Sequence, residues 1–156
     1  MAGISDQLFE GKDVCLGPID FEKDPAVESA WTHDSDFMRM YQLDAARPMS
    51  AAMVKKQYER LEKDVEEKKN LFPFMIRAKE DDRLIGKASV HWIEWTNTVG
   101  WVDIGIGSAD DRRKGYGTQA MKMLLRFAFD ELNLYRLSVR IPEYNEAAVA
   151  FFKEFG

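Results

Sequence analysis

The residues best suited to chemistry lie in one short segment, where three consecutive cations at positions 112–114 precede Gly115 and Gly117. A glycine has no Cβ, so its backbone N–H group can turn toward a ligand without steric hindrance. A helix predicted to open at Thr118 adds unpaired N–H donors and the positive end of its dipole. Together these groups predict a site for a phosphorylated molecule, and a pyrophosphate fits them best.

Two other interpretations of this segment stay open. The run Gly115-Tyr-Gly117-Thr-Gln-Ala120 fits the G-x-G-x-x-G/A pattern of dinucleotide-binding folds, and Glu143 lies at a tolerable distance for a ribose-binding acid. In those folds the first glycine directly follows a strand, whereas the charged segment 108–114 intervenes here. The remaining interpretation is a glycine-rich helix start without a ligand, which is disfavoured because clustered cations repel one another unless an anion compensates.

Composition and charge restrict the class of protein. The 156 residues, 46% of them hydrophobic, predict one globular domain with a substantial core. The formal net charge of −5 disfavours a nucleic-acid partner, since proteins that bind nucleic acids usually have a basic surface. The single cysteine, Cys15, excludes an internal disulfide and a multi-cysteine metal site, and no metal is expected. No apolar run approaches the roughly 20 residues needed to cross a bilayer, and no signal peptide is evident, so we expect a cytoplasmic protein without a membrane partner.

Hydrophobic periodicity predicts an order of strand, helices, three strands, helix, strand and helix. The predicted strands are 14–20, 71–78, 84–95, 99–106 and 134–141. The predicted helices are 25–33, 36–43, a long helix capped by Ser50 and ending near Lys69, one from Thr118, and a last one capped by Asn145. Three consecutive strands suggest an antiparallel meander, and the β-α-β unit that follows gives a mixed sheet rather than a doubly wound parallel one.

Several segments in order are similar to one known superfamily. The pattern Arg112-x-x-Gly115-x-Gly117 resembles the acyl-CoA pyrophosphate motif, Q/R-x-x-G-x-G/A, of the GNAT N-acetyltransferases. The strand VDIGIG before it, the helix TQAMKMLLRFAFDELNL after it and the run YRLSVRIPEYNEAAVAFFKEFG resemble the central and C-terminal motifs of that superfamily. The branch with ribosomal-protein and spermidine acetyltransferases is the most similar, and the specific match covers residues 99–156.

The resemblance implies an α/β (α+β) fold, with a single GNAT-like domain over residues 1–156. A mixed, mostly antiparallel sheet would carry helices on both faces, and a central parallel pair, 100–106 and 135–141, would splay apart around acetyl-CoA as cosubstrate. Pyrophosphate would lie on the N–H groups of 113–118, and pantetheine would run along 104–107. The implied cofactor-binding residues are Ile104, Gly105, Ile106, Arg112, Arg113, Lys114, Gly115, Tyr116, Gly117, Thr118, Asn145 and Phe152. Asn145 is equally well explained as a helix cap, and both roles are compatible.

The implied reaction transfers the acetyl group directly to a primary amine, which must first lose a proton to a base. Asp103 is the first candidate for the base or for orienting the amine, because this branch often has an acid there. Glu94 and His91 are further candidates, although His91 lies in an apolar run that also suits a core histidine. Backbone N–H groups near residues 104–105 would stabilise the oxyanion.

Protonation of the departing CoA thiolate is less clear from the sequence. Many relatives have a tyrosine where this chain has Phe152, whose ring carries no acidic proton. Tyr144 is therefore a candidate acid, with Tyr135 as a second, and release of the thiolate with the help of water is the other possibility. We expect the acceptor site between the turn 31–36 and the third and fourth strands. Candidates for its walls are Trp31, Trp92 and Trp95, and candidates to attract a cation are Asp34, Asp36 and Glu94, although each of these residues also suits an ordinary core or surface role.

The acceptor implied by the resemblance is the amine of a small molecule or of a protein N-terminus. A GNAT-fold module that binds acyl-CoA without catalysis is an alternative, and a nicotinamide-dependent oxidoreductase is a weaker one. The family usually continues past the final glycine with further strands, so we also expect either a truncated C-terminus or an exposed sheet edge that would favour a homodimer.

Overall fold

The structure is a computed structural model that describes residues 7–41 and 45–156 of the chain. A five-stranded sheet in the order β1-β2-β3-β4-β5 forms its centre. The strands are β1 (Val14–Gly17), β2 (Phe72–Ala78), β3 (Leu84–Glu94), β4 (Val99–Ile106) and β5 (Arg136–Ser138). The first four strands pair antiparallel, and β5 runs parallel to β4, so the predicted meander followed by one β-α-β unit is confirmed.

Five α-helices accompany the sheet in the described residues. They are α1 (Asp24–Thr32), α2 (Ser35–Tyr41), α3 (Ala51–Lys68), α4 (Tyr116–Arg126) and α5 (Glu146–Lys153), and a π-helix, Phe127–Glu131, continues α4. The two predicted caps are confirmed, since Ser50 Oγ accepts from the Met53 N–H at 3.2 Å and Asn145 Oδ1 accepts from the Ala148 N–H at 3.1 Å. No helix of the described residues has both the length and the apolarity needed to span a bilayer.

The sheet separates two hydrophobic clusters. On one face, α4, the π-helix and the phenylalanines of α5 pack against strand residues that include Val14, Ile76, Ile85, Val90 and Val102. The other face carries α1, α2 and α3, whose cluster includes Trp31, Met38, Val54, Tyr58 and Met75. Helices therefore cover both faces, as the sequence predicted. Because β4 lies between the two helical layers, its alternate side chains reach both of them.

A buried ion pair attaches the start of α1 to the sheet. Arg77 on β2 donates to both carboxylate oxygens of Asp24, at 2.9 and 2.7 Å, and also to the Pro18 carbonyl at 3.0 Å. The Asp24 side chain is 1% exposed, so the pair stays shielded from solvent. The hydrogen bonds to Asp24 raise the pKa of the Arg77 guanidinium, which remains charged. This contact fixes the α1–α3 layer over β2 and β3.

Three elements have a boundary that differs from the prediction by two residues or more. The first strand ends at Gly17 rather than at residue 20, and α4 begins two residues earlier, at Tyr116, because Gly115 takes the left-handed conformation (φ 83°) that starts the helix. The last strand contains three residues instead of eight. Val139, which follows it, packs against the core without strand pairing, and Pro142 lacks an N–H group for a ladder. The end of the predicted helix 36–43 lies outside the described residues.

Candidate active site

The first part of the site is the edge of β4 that faces β5. The two strands pair over three positions, Val99 with Arg136, Gly100 with Leu137, and Trp101 with Ser138. The β4 strand then continues to Ile106, five residues beyond the last of these pairs, while β5 has ended. The backbone edge of residues 102–106 is therefore open toward the diverging chain. The strands splay as the sequence implied, at the β5 end of the sheet.

The open edge leads directly into the cationic loop and the start of α4. Arg113 and Gly115 both have left-handed backbones, with φ of 60° and 83°. The first helical hydrogen bond of α4 runs from the Gln119 N–H to the Gly115 carbonyl. The N–H groups of Tyr116, Gly117 and Thr118 thus precede the first helical donor and project from the helix end. These are the donors that the sequence predicted for a pyrophosphate.

Two contacts hold this loop in place. Arg112 folds back and donates to the carbonyls of Ile106 and Gly107, both at 3.3 Å. Arg83, in the β2–β3 turn, binds both carboxylate oxygens of the buried Asp111 at 2.7 and 3.0 Å. These hydrogen bonds raise the pKa of Arg83, so its guanidinium stays charged. Because Arg83 neutralises Asp111, this acid does not cancel the positive charge of the exposed residues 112–114.

The second part of the site is a cavity of about 570 Å³ on the sheet face that α3 covers. Side chains of β4 alternate there, so Val102 and Ile104 contact the α4 side of the core while Asp103 enters the cavity. Trp92, Trp101, Leu61 and Phe74 form much of the apolar wall. A volume of this size accommodates a small organic ligand.

Asp103 belongs to a hydrogen-bonded cluster inside the cavity. The antiparallel register places Ser89 opposite Asp103, and Ser89 Oγ donates to Asp103 Oδ1 at 2.9 Å. The same hydroxyl oxygen lies 3.0 Å from His91 Nδ1, which is 3.9 Å from Asp103 Oδ2. Since the hydroxyl proton points to Asp103, the oxygen accepts from Nδ1–H, and the lone pair of the neutral ring is then on Nε2.

The environment of His91 favours this neutral form. Burial is the largest effect and lowers the pKa of His91 below its ordinary value of 6.5. The Asp103 carboxylate opposes this shift, and the positive charge of Arg140 adds to it. A neutral imidazole beside a carboxylate can accept a proton near pH 7, which is the property that a general base needs.

A second polar cluster forms the floor of the cavity. The Lys87 ammonium and the Tyr58 hydroxyl each bind one carboxylate oxygen of the buried Glu28. The ring of Tyr41 lies over Lys87, with the ammonium 5.0 Å from its centroid. Desolvation and the nearby carboxylates of Asp103 and Glu28 raise the pKa of Tyr41 well above its ordinary value, so it keeps its proton. The charges of Lys87 and Glu28 therefore compensate each other.

Comparison with known proteins identifies the family. The model of the GNAT acetyltransferase domain matches residues 13–156. The chain belongs to the GNAT acetyltransferase family. No protein of curated function matches the sequence significantly.

Solved structures agree with this fold at low sequence identity. A spermidine N-acetyltransferase from Vibrio cholerae, in complex with CoA and spermine, is 17% identical, with a TM-score of 0.74 over 92% of this chain and 80% of that one. A ribosomal-protein-S5-alanine acetyltransferase from Vibrio fischeri is 16% identical, with a TM-score of 0.77 over 95% and 81%. A microcin C7 self-immunity acetyltransferase, in complex with acetyl-CoA and AMP, is 16% identical, with a TM-score of 0.79 over 94% and 79%.

Within this GNAT fold, the candidate catalytic residues from the sequence lie in three different places. Asp103 lies in the cavity, whereas Glu94 is exposed at the β3–β4 turn and accepts a hydrogen bond from Asn97 at 3.1 Å. Tyr144 is 60% exposed, and its hydroxyl donates to the Arg39 carbonyl at the end of α2, at 2.8 Å. The roles suggested for Glu94 and Tyr144 stay predictions, without a contact to the Asp103 cluster.

The predicted cofactor residues are grouped more closely. Residues 104–106 lie on the open edge, and 112–118 form the loop and helix start beyond it. Asn145 uses both ends of its amide within the protein, as the cap of α5 and as a donor to the Met40 carbonyl at 3.2 Å. Phe152 packs against the core and against the ring of Phe151, with 5.1 Å between their centroids. Contacts of these residues with acetyl-CoA remain predictions.

The cavity lies deeper under α3 than the acceptor region that the sequence suggested. Of the predicted walls, Trp92 lines the cavity, but Trp31 is buried in the α1–α3 cluster and Trp95 packs on Phe72. Asp34 caps the start of α2 by accepting from two of its N–H groups. Sequence reasoning missed Ser89, Lys87 and Arg140 as cavity residues, although Lys87, Ser89 and His91 alternate along β3 and therefore share one face.

Proposed function

We propose that this GNAT protein is an acetyl-CoA-dependent N-acetyltransferase that acts on a primary amine. The observation that carries the proposal is the position of Asp103. Its backbone belongs to the open edge of β4 that leads into the cationic loop, while its side chain lies in the cavity under α3. One strand thus joins a surface suited to acetyl-CoA to a cavity suited to an acceptor. The spermidine N-acetyltransferase of the same fold supports an amine acceptor.

The residues present fit acetyl-CoA in charge and in shape. Arg113 and Lys114 lie exposed beside the N–H groups at the start of α4, which suits a pyrophosphate. A Cβ at Gly117 would have only ordinary contacts, the nearest at 3.7 Å from Phe151, so its bare backbone leaves room for a close ligand. The open backbone edge of 104–106 offers donors and acceptors to an extended pantetheine arm.

The proposed reaction follows from the Asp103 cluster. An ammonium group enters the cavity and loses a proton to His91 Nε2 or to the Asp103 carboxylate. The amine nitrogen then attacks the thioester carbonyl carbon, the new C–N bond forms, and the C–S bond breaks as CoA leaves as a thiolate. Ser89 orients both partners, because its hydroxyl joins Asp103 to His91. The nitrogen loses its second proton as the tetrahedral intermediate collapses, so two protons leave the ammonium group in all. One protonates the thiolate, directly or through solvent, and the other is released from the base to solvent.

Calorimetric titration with acetyl-CoA, using NADH as the control ligand, tests the cofactor assignment. We expect saturable binding of acetyl-CoA in the micromolar range and none of NADH. Release of free CoA thiol across a panel of amines then tests turnover. Binding of acetyl-CoA without turnover on any amine would instead identify an acyl-CoA-binding module, and the lack of acetyl-CoA binding would refute the proposal.

The substitution Asp103→Asn tests the acceptor side. An amide cannot accept the proton or balance the ammonium charge, so we expect kcat/KM to fall about 100-fold or more while acetyl-CoA affinity is retained. Glu131→Gln removes an exposed carboxylate from the π-helix and serves as the matched control. Unchanged kinetics of Asp103→Asn would show that the cavity is not the site of transfer.

A further inference from the structure

The charged groups of the cavity under α3 are mostly paired with each other. Lys87 binds Glu28, and Lys68 on α3 lies 3.3 Å from Asp64. Two charged groups remain outside these pairs, the Asp103 carboxylate and the Arg140 guanidinium. His91 does not neutralise Asp103, because its lowered pKa keeps the ring uncharged. Among the ion pairs of the described residues, none involves Arg140. The lining therefore presents one negative and one positive group to a ligand.

Two tryptophans hold Arg140 at this cavity. Its guanidinium carbon lies 5.5 Å from the ring centroid of Trp92 and 5.3 Å from that of Trp101. The two rings are 6.2 Å apart and inclined at 73°. Stacking on aromatic faces leaves the N–H groups at the edge of the guanidinium available, in the planar array that matches a carboxylate or phosphate.

A distorted backbone brings Trp92 to this position. A bulge in β3 sets Trp92 and Ile93 opposite the single residue Gly100, because His91 pairs with Trp101 and Glu94 pairs with Val99. Trp92 has φ 47°, a left-handed value that is costly for a bulky side chain. In a regular strand His91 and Trp92 would point to opposite faces, but here both line the cavity.

We infer that the acceptor is a small primary amine that also carries an anionic group, a carboxylate or a phosphate, bound by Arg140 while its amine meets the Asp103 cluster. This inference rests on the proposed function and names its substrate class. A zwitterion places one charge against each of the two unpaired groups. A polyamine would bring several positive charges to a lining with one unpaired carboxylate and would be repelled by Arg140.

Equilibrium binding to the protein saturated with CoA tests the inference apart from catalysis. The probes are matched pairs, L-phenylalanine with its carboxamide and O-phosphoethanolamine with ethanolamine, together with spermidine. We expect the anionic member of at least one pair to bind about tenfold tighter or more, because its partner lacks the charge-assisted hydrogen bond to Arg140. The pair that shows the difference distinguishes a carboxylate from a phosphate.

Arg140→Gln should abolish this difference, and Arg140→Glu should reverse it in favour of the carboxamide and spermidine. Arg136→Gln, an exposed arginine on β5 outside the cavity, is the matched control and should retain the difference. The inference would be overturned if the partners without an anionic group, or spermidine, bound the native protein equally well or more tightly. An undiminished difference in Arg140→Gln, or the lack of saturable binding by every probe, would also overturn it.

Turnover on the same compounds separates this inference from the proposed function. If amines without an anionic group are acetylated with a kcat/KM equal to or higher than that of the anionic amines, the N-acetyltransferase proposal stands and the substrate class is refuted. The lack of acetyl-CoA binding would refute the proposed function, whatever the matched pairs show.

Discussion

Replacing Gly117 by alanine should separate the stability of the fold from the affinity for acetyl-CoA. Gly117 is the second residue of α4, and it is not among the glycines with positive φ. A Cβ there would meet Phe151 at 3.7 Å and Ile106 at 3.9 Å, both ordinary van der Waals distances. Nothing in the described fold therefore requires a glycine at this position.

The stability change follows from the helix. Alanine is preferred over glycine in a helix by about 0.5–1 kcal/mol, and the first turn gives the lower end of that range. A gain of about 0.5 kcal/mol raises Tm by about 1–2 °C in a domain of this size. Binding should change in the opposite direction, because a methyl group would separate the helix N–H donors from the pyrophosphate. Loss of one or two charge-assisted hydrogen bonds weakens the affinity about 10- to 100-fold.

Thermal melts and calorimetric titrations of the same preparation measure both quantities. Gly115→Ala is the matched control, because φ of 83° makes a side chain there cost about 1 kcal/mol, so this variant should melt at a lower temperature. If Gly117→Ala binds acetyl-CoA as tightly as the native protein, the start of α4 is not the pyrophosphate site. A lower Tm for Gly117→Ala would show that the helix start is more tightly packed than its contacts indicate.

Two further predictions concern the face of β3 and β4 that is turned toward the cavity. Gly105→Ala would drive a Cβ into the ring of Tyr41. Because this ring stacks on Phe37, with 5.5 Å between centroids, the free energy of unfolding should fall by about 1–3 kcal/mol. An unchanged urea midpoint would contradict this close contact. The second concerns pH. Because the pKa of His91 is lowered in the folded protein, the unfolded chain binds a proton first as pH falls through 6.5, and native stability decreases toward acid. His91→Gln should flatten this dependence between pH 5 and 7 and remove the acid limb of kcat/KM, and an identical profile in the variant would exclude His91 as a base.

Much of the fold follows from local signals in the sequence. Alternating apolar residues and turn residues predicted the meander. The spacings of four, three and four residues between Val54, Tyr58, Leu61 and Val65 predicted α3. The cationic loop was also predictable, because residue types and backbone requirements coincide within a few positions. The length of β5 was not predictable. The apolar residues Val139 and Ile141 suit a strand, but in the structure they lie beyond the last residue that pairs with β4.

The cavity side of the site depends on pairing between distant residues. Ser89 meets Asp103 because of the β3–β4 register, and no local pattern records which residues will be opposite each other. The bulge at Trp92 changes the alternation of β3, which is why strand periodicity could not place Trp92 and His91 in the same cavity. Glu94 was a reasonable candidate by residue type, but it lies at the turn, beyond the register positions that contact Asp103.

The alternation of β4 would let one short strand serve both proposed substrates without mixing their requirements. Val102 and Ile104 fix the strand to the core beneath α4, while Asp103 and Gly105 face the layer formed by α1, α2 and α3. The backbone edge is perpendicular to both faces, so it stays available where β5 has ended. Packing explains the glycine at position 105 without acetyl-CoA, because Tyr41 occupies the space that a Cβ would need. Tyr41 also forms part of the cavity floor. Changes at Asp103 should therefore alter selection of the acceptor, and changes at Gly117 should alter affinity for the cosubstrate, with little coupling between them.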